Sequence, residues 1–129
     1  IYNQFKKITK DFKNLKKIGV LGLAYKENTN SIKNSPSISF IKKISLGNKY
    51  MINVFDPKIK KLSKYKNINI CKNINDLMNN SNILLVATPW EVFKEIDLSK
   101  FKNIKAVIDP YNLINFSKNK KLKHIGMGN

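Results

Sequence analysis

Apolar side chains recur along the first fifteen residues at steps of four and three, the spacing of one face of an α-helix. These positions are Ile1, Phe5, Ile8, Phe12 and Leu15. The stripe predicts a helix over residues 1–15 with a period close to that of a coiled coil. Because no capping residue precedes it, we expect the chain to begin inside a longer helix. The stripe would then pack either on this domain or on another chain.

Short apolar runs replace the helical stripe in the rest of the chain and predict strands. The runs lie at 16–25, 50–57, 68–70, 82–89, 105–110 and 122–128. The run at 82–89 is continuously apolar, which is typical of a parallel strand covered on both faces. Helices are predicted between the runs, at 36–45, 73–79 and 91–95. The first would start from Ser35 as N-cap with Pro36 at N1, and the second from Asn73.

This alternation of strands and helices predicts an α/β fold. We expect a Rossmann-like, mainly parallel sheet with helices on both faces, preceded by an N-terminal helix. In such sheets, ligands bind beyond the carboxyl ends of the strands. The predicted strand ends are at 24–26, 56–57, 88–90 and 109–112. A long polar connection leaves the first of these ends, and compact domains seldom keep one of that length without a use.

The charge balance is strongly basic, with a formal net charge of +17 in 129 residues. Such a charge first suggests a nucleic-acid partner. However, all 25 Lys and Arg residues are lysine. Arginine binds phosphates and guanine edges better, because its guanidinium group donates two hydrogen bonds at once. The abundance of Lys, Asn and Ile is explained more simply by AT-rich codons. We therefore expect no nucleic-acid partner, although the charge should help to attract an anionic ligand.

The length suits one domain with a single core. The sequence has no run of 18 apolar residues and no signal-peptide pattern. Its one cysteine, Cys71, cannot form an internal disulfide. These features predict a cytoplasmic protein without a membrane partner. Cys71 is expected to be a small core or surface residue rather than a nucleophile, His124 a structural residue, and no metal site is expected.

Gly19 and Gly22 lie in the first predicted strand and invite comparison with a dinucleotide fingerprint. Their spacing is G-x-x-G rather than G-x-G-x-x-G, and the polar connection delays the helix that should follow at once. Asp56 stands too far downstream for the usual ribose-binding acid. We assign no dinucleotide to this motif. We expect instead that the small residues let the backbone approach a ligand or a neighbouring helix.

Two lysines stand at the mouth of the predicted sheet. Lys26 directly follows the first strand, and Lys33 lies just before the next helix. Each is a candidate contact for a phosphate or carboxylate, because a helix start also favours anions. Each could equally be one more solvated lysine. Trp90, at another strand end, is expected to pack, and no catalytic site complete within this chain is expected.

Several motifs, in order and in spacing, resemble those of the nucleotide-sugar dehydrogenases, the family of UDP-glucose 6-dehydrogenase and of the GDP-mannose and UDP-N-acetylmannosamine dehydrogenases. The stretch GVLGLAYKENTNSIKNSP resembles the family signature G-L-A-F-K-x-x-T-x-D-x-R-x-S-P. NVFDPK resembles V-Y-D-P, and DLMNNSNILLVATPWEVF resembles A-D-A-x-V-I-x-T-x-W-x-E-F. AVIDPYNLI sits where V-I-D-G-R-N is common, and HIGMGN resembles the family's ending.

The resemblance implies a division of the chain and roles for four residues. Residues 16–129 would be the nucleotide-sugar-binding C-terminal domain, and residues 1–15 the end of the helix that connects it to the other half. Tyr25 and Lys26 match a Phe-Lys pair that contacts substrate, and Tyr111 stands at the family's substrate-binding arginine. Lys33 matches an arginine that reaches towards NAD in the partner half.

The resemblance also implies an activity for the whole enzyme, which oxidises the C6 alcohol of a nucleotide sugar to a carboxylate and reduces two NAD. Its N-terminal domain would bind NAD and carry the cysteine nucleophile, and its connecting helix would form a homodimer. This chain contains neither the NAD fingerprint nor the cysteine motif. We expect it to be inactive alone.

The departures from the family pattern leave the substrate open. Lys33 keeps the charge of the family arginine but loses its bidentate fork, and Tyr111 keeps neither. UDP-glucose, a UDP-N-acetyl-hexosamine and GDP-mannose all remain candidates. A different reading is that the stripe of residues 1–15 makes this chain a dimerisation module only. Without ligands, we expect 27–34 to be the least ordered internal segment.

Overall fold

The computed structural model of the chain describes residues 1–26, 31–33, 35–62 and 67–114, and the backbone of 123–126. Its elements are α1 (Tyr2–Asp11), β1 (Lys17–Leu21), α2 (Pro36–Ser45), β2 (Met51–Phe55), β3 (Ile68–Ile70), α3 (Ile74–Asn79), β4 (Ile83–Val86), β5 (Ala106–Asp109) and β6 (Lys123–Gly126). Short 3-10 helices at Glu91–Glu95 and Leu98–Lys100 connect β4 to β5. Most of the segment predicted to be least ordered, and the side chain of His124, lie outside the described residues.

In the described part of the chain, six strands form one parallel sheet in the order β3-β2-β1-β4-β5-β6. The predicted α/β fold is confirmed, and this is the Rossmann strand order. The connections from β1 to β2 and from β3 to β4 run in opposite directions across the sheet. Because such crossovers are right-handed, α2 and α3 lie on opposite faces. The order reverses between β1 and β4, so the switch point at which such folds bind their ligands lies at the carboxyl ends of these two strands.

The strand sequences explain the central position of β1, β4 and β5. All four residues of β4 and all four of β5 are buried, and β1 is buried after its first lysine. A strand that is buried along its whole length must be covered on both faces. The continuously apolar run at 82–89 was therefore a reliable signal of a central strand.

The two predicted caps differ in what their side chains do. Asn73 accepts a hydrogen bond at Oδ1 from the backbone N–H of Asp76 at 2.8 Å, as expected for the cap of α3. Ser35 occupies the N-cap position of α2, with Pro36 following, but its side chain makes no cap hydrogen bond. Its hydroxyl instead donates to the backbone carbonyl of Leu23 at 2.8 Å. The predicted start of α2, with Ser35 as N-cap and Pro36 following, is confirmed, but the hydroxyl of this buried serine binds the backbone beyond β1 instead of the first turn of the helix.

Helix α1 ends at Asp11, four residues earlier than the stripe predicted. Phe12 leaves the helical conformation, with φ −124° and ψ 69°, because the chain must turn to enter β1. The stripe packs on its own domain. Phe5 is buried and sets its ring edge-on to Phe40 at 5.1 Å and to Tyr50 at 5.2 Å. Among the described helices, none has the length and apolar character needed to cross a membrane.

Candidate functional site at the carboxyl edge of the sheet

The two glycines of the G-x-x-G motif allow close packing on each side of β1. A Cβ at Gly19 would lie 2.6 Å from the hydroxyl oxygen of Ser81, just beyond α3. Gly22 has φ +99°, and a Cβ there would lie 2.5 Å from the Cβ of Thr88. The amide of Gly22 also donates to the carbonyl of Phe55 at 2.7 Å. The expectation that small residues admit a neighbouring element is confirmed, and the close approaches are to the α3 region and to the end of β4.

Asp56 holds the backbone that follows β1. Its Oδ2 accepts hydrogen bonds from the amides of Leu23 at 2.7 Å and Ala24 at 2.9 Å. Its Oδ1 accepts from the amides of Lys58 at 2.8 Å and Ile59 at 3.0 Å. The side chain is 1% exposed. With both oxygens engaged by backbone donors, this carboxylate is a structural clamp rather than a ribose ligand.

Two hydroxyl groups complete the clamp on the same segment. Thr88 donates to the carbonyl of Ala24 at 2.8 Å, and Ser35 donates to the carbonyl of Leu23. The hydroxyl oxygens of Ser35 and Ser37 also lie 2.8 Å apart. All these groups are buried, so their hydrogen bonds are made without competition from water. The polar connection therefore departs from β1 and returns to α2 at one fixed point of the sheet edge.

Three of the four predicted ligand residues stand on this connection. The amide of Tyr25 donates to the carbonyl of Ser31 at 2.6 Å, which brings the two ends of the loop together. Tyr25 is 54% exposed, and Lys26 and Lys33 are exposed as well. A rigid, buried support thus carries an exposed aromatic ring and two ammonium groups at the switch point of the sheet. This is the arrangement that an anionic ligand with an apolar part can use.

Tyr111, the fourth predicted ligand residue, follows β5 and is 43% exposed. Neighbouring strands lie about 4.8 Å apart, so the end of β5 is about 10 Å from the end of β1, with β4 between them. Tyr111 shares the carboxyl edge with Lys26 but faces a separate part of it. A single ligand must be extended to touch both.

Sequence reasoning missed the buried groups beneath the end of β5. Asp109 is fully buried and accepts a hydrogen bond at Oδ2 from the amide of Ile114 at 2.9 Å. Its Oδ1 atom and the indole nitrogen of Trp90 have no hydrogen-bond partner within the described residues. Trp90 is 7% exposed, so its predicted packing role is confirmed. The signal that could have found Asp109 is its position, since it ends its strand just as Asp56 directly follows β2.

Cys71 does not supply a nucleophile to this edge. Burial raises the pKa of its thiol to about 11, and the neighbouring Asp76 carboxylate adds to the shift. At neutral pH the thiol is therefore protonated, and only the thiolate is an effective nucleophile. The expectation of a small core residue fits the buried position.

Comparison with known proteins now decides the family. The family profile described as "UDP-glucose/GDP-mannose dehydrogenase family, UDP binding domain" matches residues 19–116, which include the whole carboxyl edge described above. The chain belongs to this family. The resemblance seen in the sequence motifs is thereby confirmed.

Curated relatives of this family member include two UDP-glucose 6-dehydrogenases. The one from Rickettsia felis is 35% identical over 121 residues, which cover 86% of this chain and 25% of the relative. The one from Rickettsia conorii is 30% identical over 118 residues, covering 86% of this chain and 26% of the relative. The chain thus spans about a quarter of the length of these relatives.

Solved structures support the fold of the family. The NDP-N-acetyl-D-galactosaminuronic acid dehydrogenase of Methanosarcina mazei superposes with a TM-score of 0.80 at 18% identity, over 98% of this chain and 28% of that one. A UDP-D-ManNAc dehydrogenase from Pyrococcus horikoshii superposes with a TM-score of 0.76 at 21% identity, over 96% of this chain and 29% of that one. At these identities the likeness establishes the Rossmann-like architecture. The roles of Tyr25, Lys26, Lys33 and Tyr111 stay predictions.

Proposed function

We propose that this chain is the substrate-binding domain of an NAD-dependent, UDP-glucose 6-dehydrogenase-like enzyme and holds the nucleotide diphosphate of its substrate. The whole enzyme would oxidise the C6 alcohol of a nucleotide sugar to a carboxylate. The observation that carries this proposal is the UDP-binding-domain match over residues 19–116. The exposed Tyr25 and Lys26 at the switch point lie within that range and support it.

Within this proposal, each exposed residue has a simple physical task. The Lys26 ammonium is a flexible point charge that attracts the diphosphate. The ring of Tyr25 offers an apolar face beside it. Tyr111 contacts a more distant part of the extended ligand through its ring or hydroxyl. The clamp of Asp56 and Thr88 keeps the loop backbone in place, so that little ordering is required when the substrate binds.

The residues of this chain do not fit a resident NAD. Asp56 follows β2, the strand end that carries the ribose-binding acid in such folds, despite its long spacing from Gly22 in the sequence, but it uses both carboxylate oxygens on four backbone amides. The strand–loop connection also lacks the G-x-G-x-x-G spacing. We therefore place the NAD site in an N-terminal domain of the same enzyme, which would carry the catalytic cysteine. Lys33 would add one charge contact to that cofactor from this side, and this chain alone would be inactive.

The relatives indicate which nucleotide sugars are candidate substrates. The curated relatives are UDP-glucose 6-dehydrogenases, which makes UDP-glucose the first candidate. A UDP-N-acetyl-hexosamine or GDP-mannose is the alternative, since Tyr111 replaces the arginine expected at that position. Replacing Tyr111 with arginine should then tighten diphosphate binding by about three- to tenfold, because a bidentate fork is added, whereas Tyr111→Phe should not tighten it.

The alternative interpretation, that this chain acts only as a dimerisation module, has less support. The inner side of the α1 stripe, with Phe5 and Ile8, is buried in this domain, which leaves Ile1, Tyr2 and Phe12 only partly covered. We propose that a homodimer of the whole enzyme forms through the connecting helix and its preceding residues. Sedimentation of this 129-residue chain at several concentrations tests the alternative. A dimer that is stable at micromolar concentration would favour the module reading.

A titration of the chain with UDP, GDP and uridine tests the substrate proposal. Amide chemical shifts should respond to UDP at 23–26, 31–35 and 109–112, and the response should weaken as salt is added because the diphosphate meets lysines. Uridine, which lacks phosphates, should produce much smaller shifts. Equal responses to all three ligands, or none, would contradict the proposal.

A further inference from the structure

A second concave surface lies at the opposite, amino-terminal edge of the sheet and is not explained by the proposed function. It is a groove of about 660 Å³. The residues that line it are Lys6, Thr9, Lys10, Lys13, Leu15, Lys16, Lys49 and Tyr50. We call it the basic groove. Its volume lies within the range of about 300–1,000 Å³ that is usual for small-molecule sites.

Three separate parts of the chain converge on the basic groove. Lys6, Thr9 and Lys10 share one face of α1, because they are spaced three and four residues apart. Lys16 directly precedes β1, and its carbonyl accepts a hydrogen bond from the amide of Met51 at 2.8 Å. This bond aligns the start of β1 with the start of β2, where Lys49 stands. Four of the five lysines are close in sequence, and the fold adds the distant Lys49 to them.

The groove is richer in lysine than the chain as a whole. Lysine makes up 25 of 129 residues, about one in five, but five of the eight lining residues. The described lining contains no Asp or Glu. Asp11, the acid nearest in sequence, does not line the groove and is engaged in another interaction. Lysines near the end of α1 also favour its dipole, but this does not account for Lys16 and Lys49, which lie outside the helix.

The floor of the groove is an aromatic ring held by the core. Tyr50 is partly buried, and its ring packs edge-on against Phe5 at 5.2 Å. The Lys16 ammonium lies 5.6 Å from the centre of the Tyr50 ring. The ring thus presents a flat apolar face among positive charges, and the Lys16 ammonium that lies over it sits on a flexible side chain that can move aside. A planar heterocycle can pack on such a face while its phosphates meet the ammonium groups.

A smaller pocket of about 440 Å³ continues from the same two residues, Lys49 and Tyr50. Its remaining lining consists of Asn48, Met51, Asn67 and Asn69. Asn67 donates to Asn48 and Asn69 donates to Asn53, but each asparagine amide carries two donor hydrogens and an acceptor oxygen, which leaves groups for the polar edge of a base. The basic groove and this pocket together therefore present charges, a ring and amides in series.

We propose that the basic groove is a second ligand site, which binds a small nucleoside polyphosphate independently of the substrate edge. The phosphates lie among Lys10, Lys13 and Lys49, and the base lies over Tyr50 towards the asparagines. The limited size of the groove favours a small ligand over a nucleic-acid strand, which would need a longer basic track.

The test titrates the 129-residue chain with ATP and with inorganic tripolyphosphate at moderate salt. Binding is monitored through amide chemical shifts. Both probes should shift residues 9–16 and 49–50, and ATP should also shift 48 and 69 and bind more tightly. The double variant Lys10→Gln, Lys49→Gln should weaken ATP binding by about tenfold, since two charge contacts are lost. The control double variant Lys42→Gln, Lys102→Gln removes the same charge elsewhere and should change binding less than twofold.

Equal weakening by the two double variants would overturn the proposal, because bulk charge would then explain the binding. Shifts confined to residues 25–33 would also overturn it. A thymidine oligonucleotide that binds more tightly than ATP and spreads its shifts beyond the groove would replace it with a nucleic-acid surface. Lys26→Ala should leave ATP binding at the groove unchanged, so failure here and failure of the substrate proposal are distinguishable.

Discussion

The Oδ2 atom of Asp56 lies 2.7 Å from the backbone nitrogen of Leu23, although 33 positions separate the two residues in the sequence. This contact joins the end of β2 to the loop that leaves β1. The same carboxylate serves four backbone amides in total. The loop that carries the predicted substrate residues is therefore positioned by a buried acid whose two oxygens are both engaged by the backbone.

Replacing Asp56 with asparagine should destabilise the domain by about 2–4 kcal/mol. The amide group would turn two donor hydrogens towards backbone N–H groups that need an acceptor, and buried unsatisfied donors are costly. Urea denaturation measures the free energy of unfolding. Glu95→Gln, a change at an exposed acid, is the matched control and should alter stability by less than about 0.5 kcal/mol. A loss as small as the control's would show that Asp56 is not a clamp.

Gly22 and Gly47 form a natural pair for separating two costs of adding a side chain. Both have positive φ, +99° and +84°, but a Cβ at Gly22 would strike Thr88 whereas a Cβ at Gly47 would meet nothing within 4 Å. Gly47→Ala should lower the free energy of unfolding by about 1 kcal/mol, because only the backbone conformation is unfavourable for alanine there. Gly22→Ala should cost at least about 2 kcal/mol more. Thermal or urea unfolding of both variants checks the difference, and equal losses would contradict the close packing.

The thiol of Cys71 should be protected and should link stability to alkaline pH. Its folded pKa of about 11 lies above the ordinary value of 9.0. The stabilisation that this shift represents is fully present below pH 9 and is lost as the pH rises through 11. The stability difference between the unmodified chain and Cys71→Ala should therefore shrink by about 1–2 kcal/mol from pH 8.5 to 11.

Alkylation provides an independent measurement of the same thiol. Reaction of Cys71 with iodoacetamide at pH 8 should be at least about tenfold slower in the native chain than in urea, because the thiol is buried and protonated. A native rate equal to the unfolded rate would show that the thiol is exposed.

Lys26 and Lys33 should differ in their effect on nucleotide binding by this chain. Lys26→Ala should weaken the UDP response by about three- to tenfold, since an ammonium facing the diphosphate is removed. Lys33→Ala should change it less than twofold, because its proposed cofactor is held by another domain. The two variants carry the same net charge, so each controls for the other. Titrations with UDP, monitored through amide chemical shifts, measure both effects. A larger loss of binding in Lys33→Ala than in Lys26→Ala would exchange the two proposed roles.

Local patterns in the sequence determined most of the architecture. The apolar runs predicted the strands, the Ser35-Pro36 pair predicted where α2 begins, and Asn73 predicted the cap of α3. These features depend on residues a few positions apart, so they can be read without the fold. The end of α1 was predicted less well, because the apolar spacing continues to Leu15 although the helix stops at Asp11.

The site was predictable only where its residues follow a strand directly. Tyr25 and Lys26 could be placed at the carboxyl edge because parallel strands end there together. The buried hydroxyl of Ser35 donates to the carbonyl of Leu23, 12 positions away, a partner that the N-cap prediction did not include. Nothing in the local sequence distinguishes a serine that caps its helix from one that binds a distant carbonyl.

The sequence by itself determined the α/β fold, the exposed loop at the end of β1 and, through the matching motifs, the family. Only the tertiary structure decided that Asp56 is a clamp, that Gly22 must admit Thr88, and that Lys49, before β2, joins the lysines of residues 6–16 in one groove. The physical reason is the same in each case. Strand order sets which distant residues become neighbours, and a hydrogen bond or a steric contact depends on that neighbour within a few ångströms.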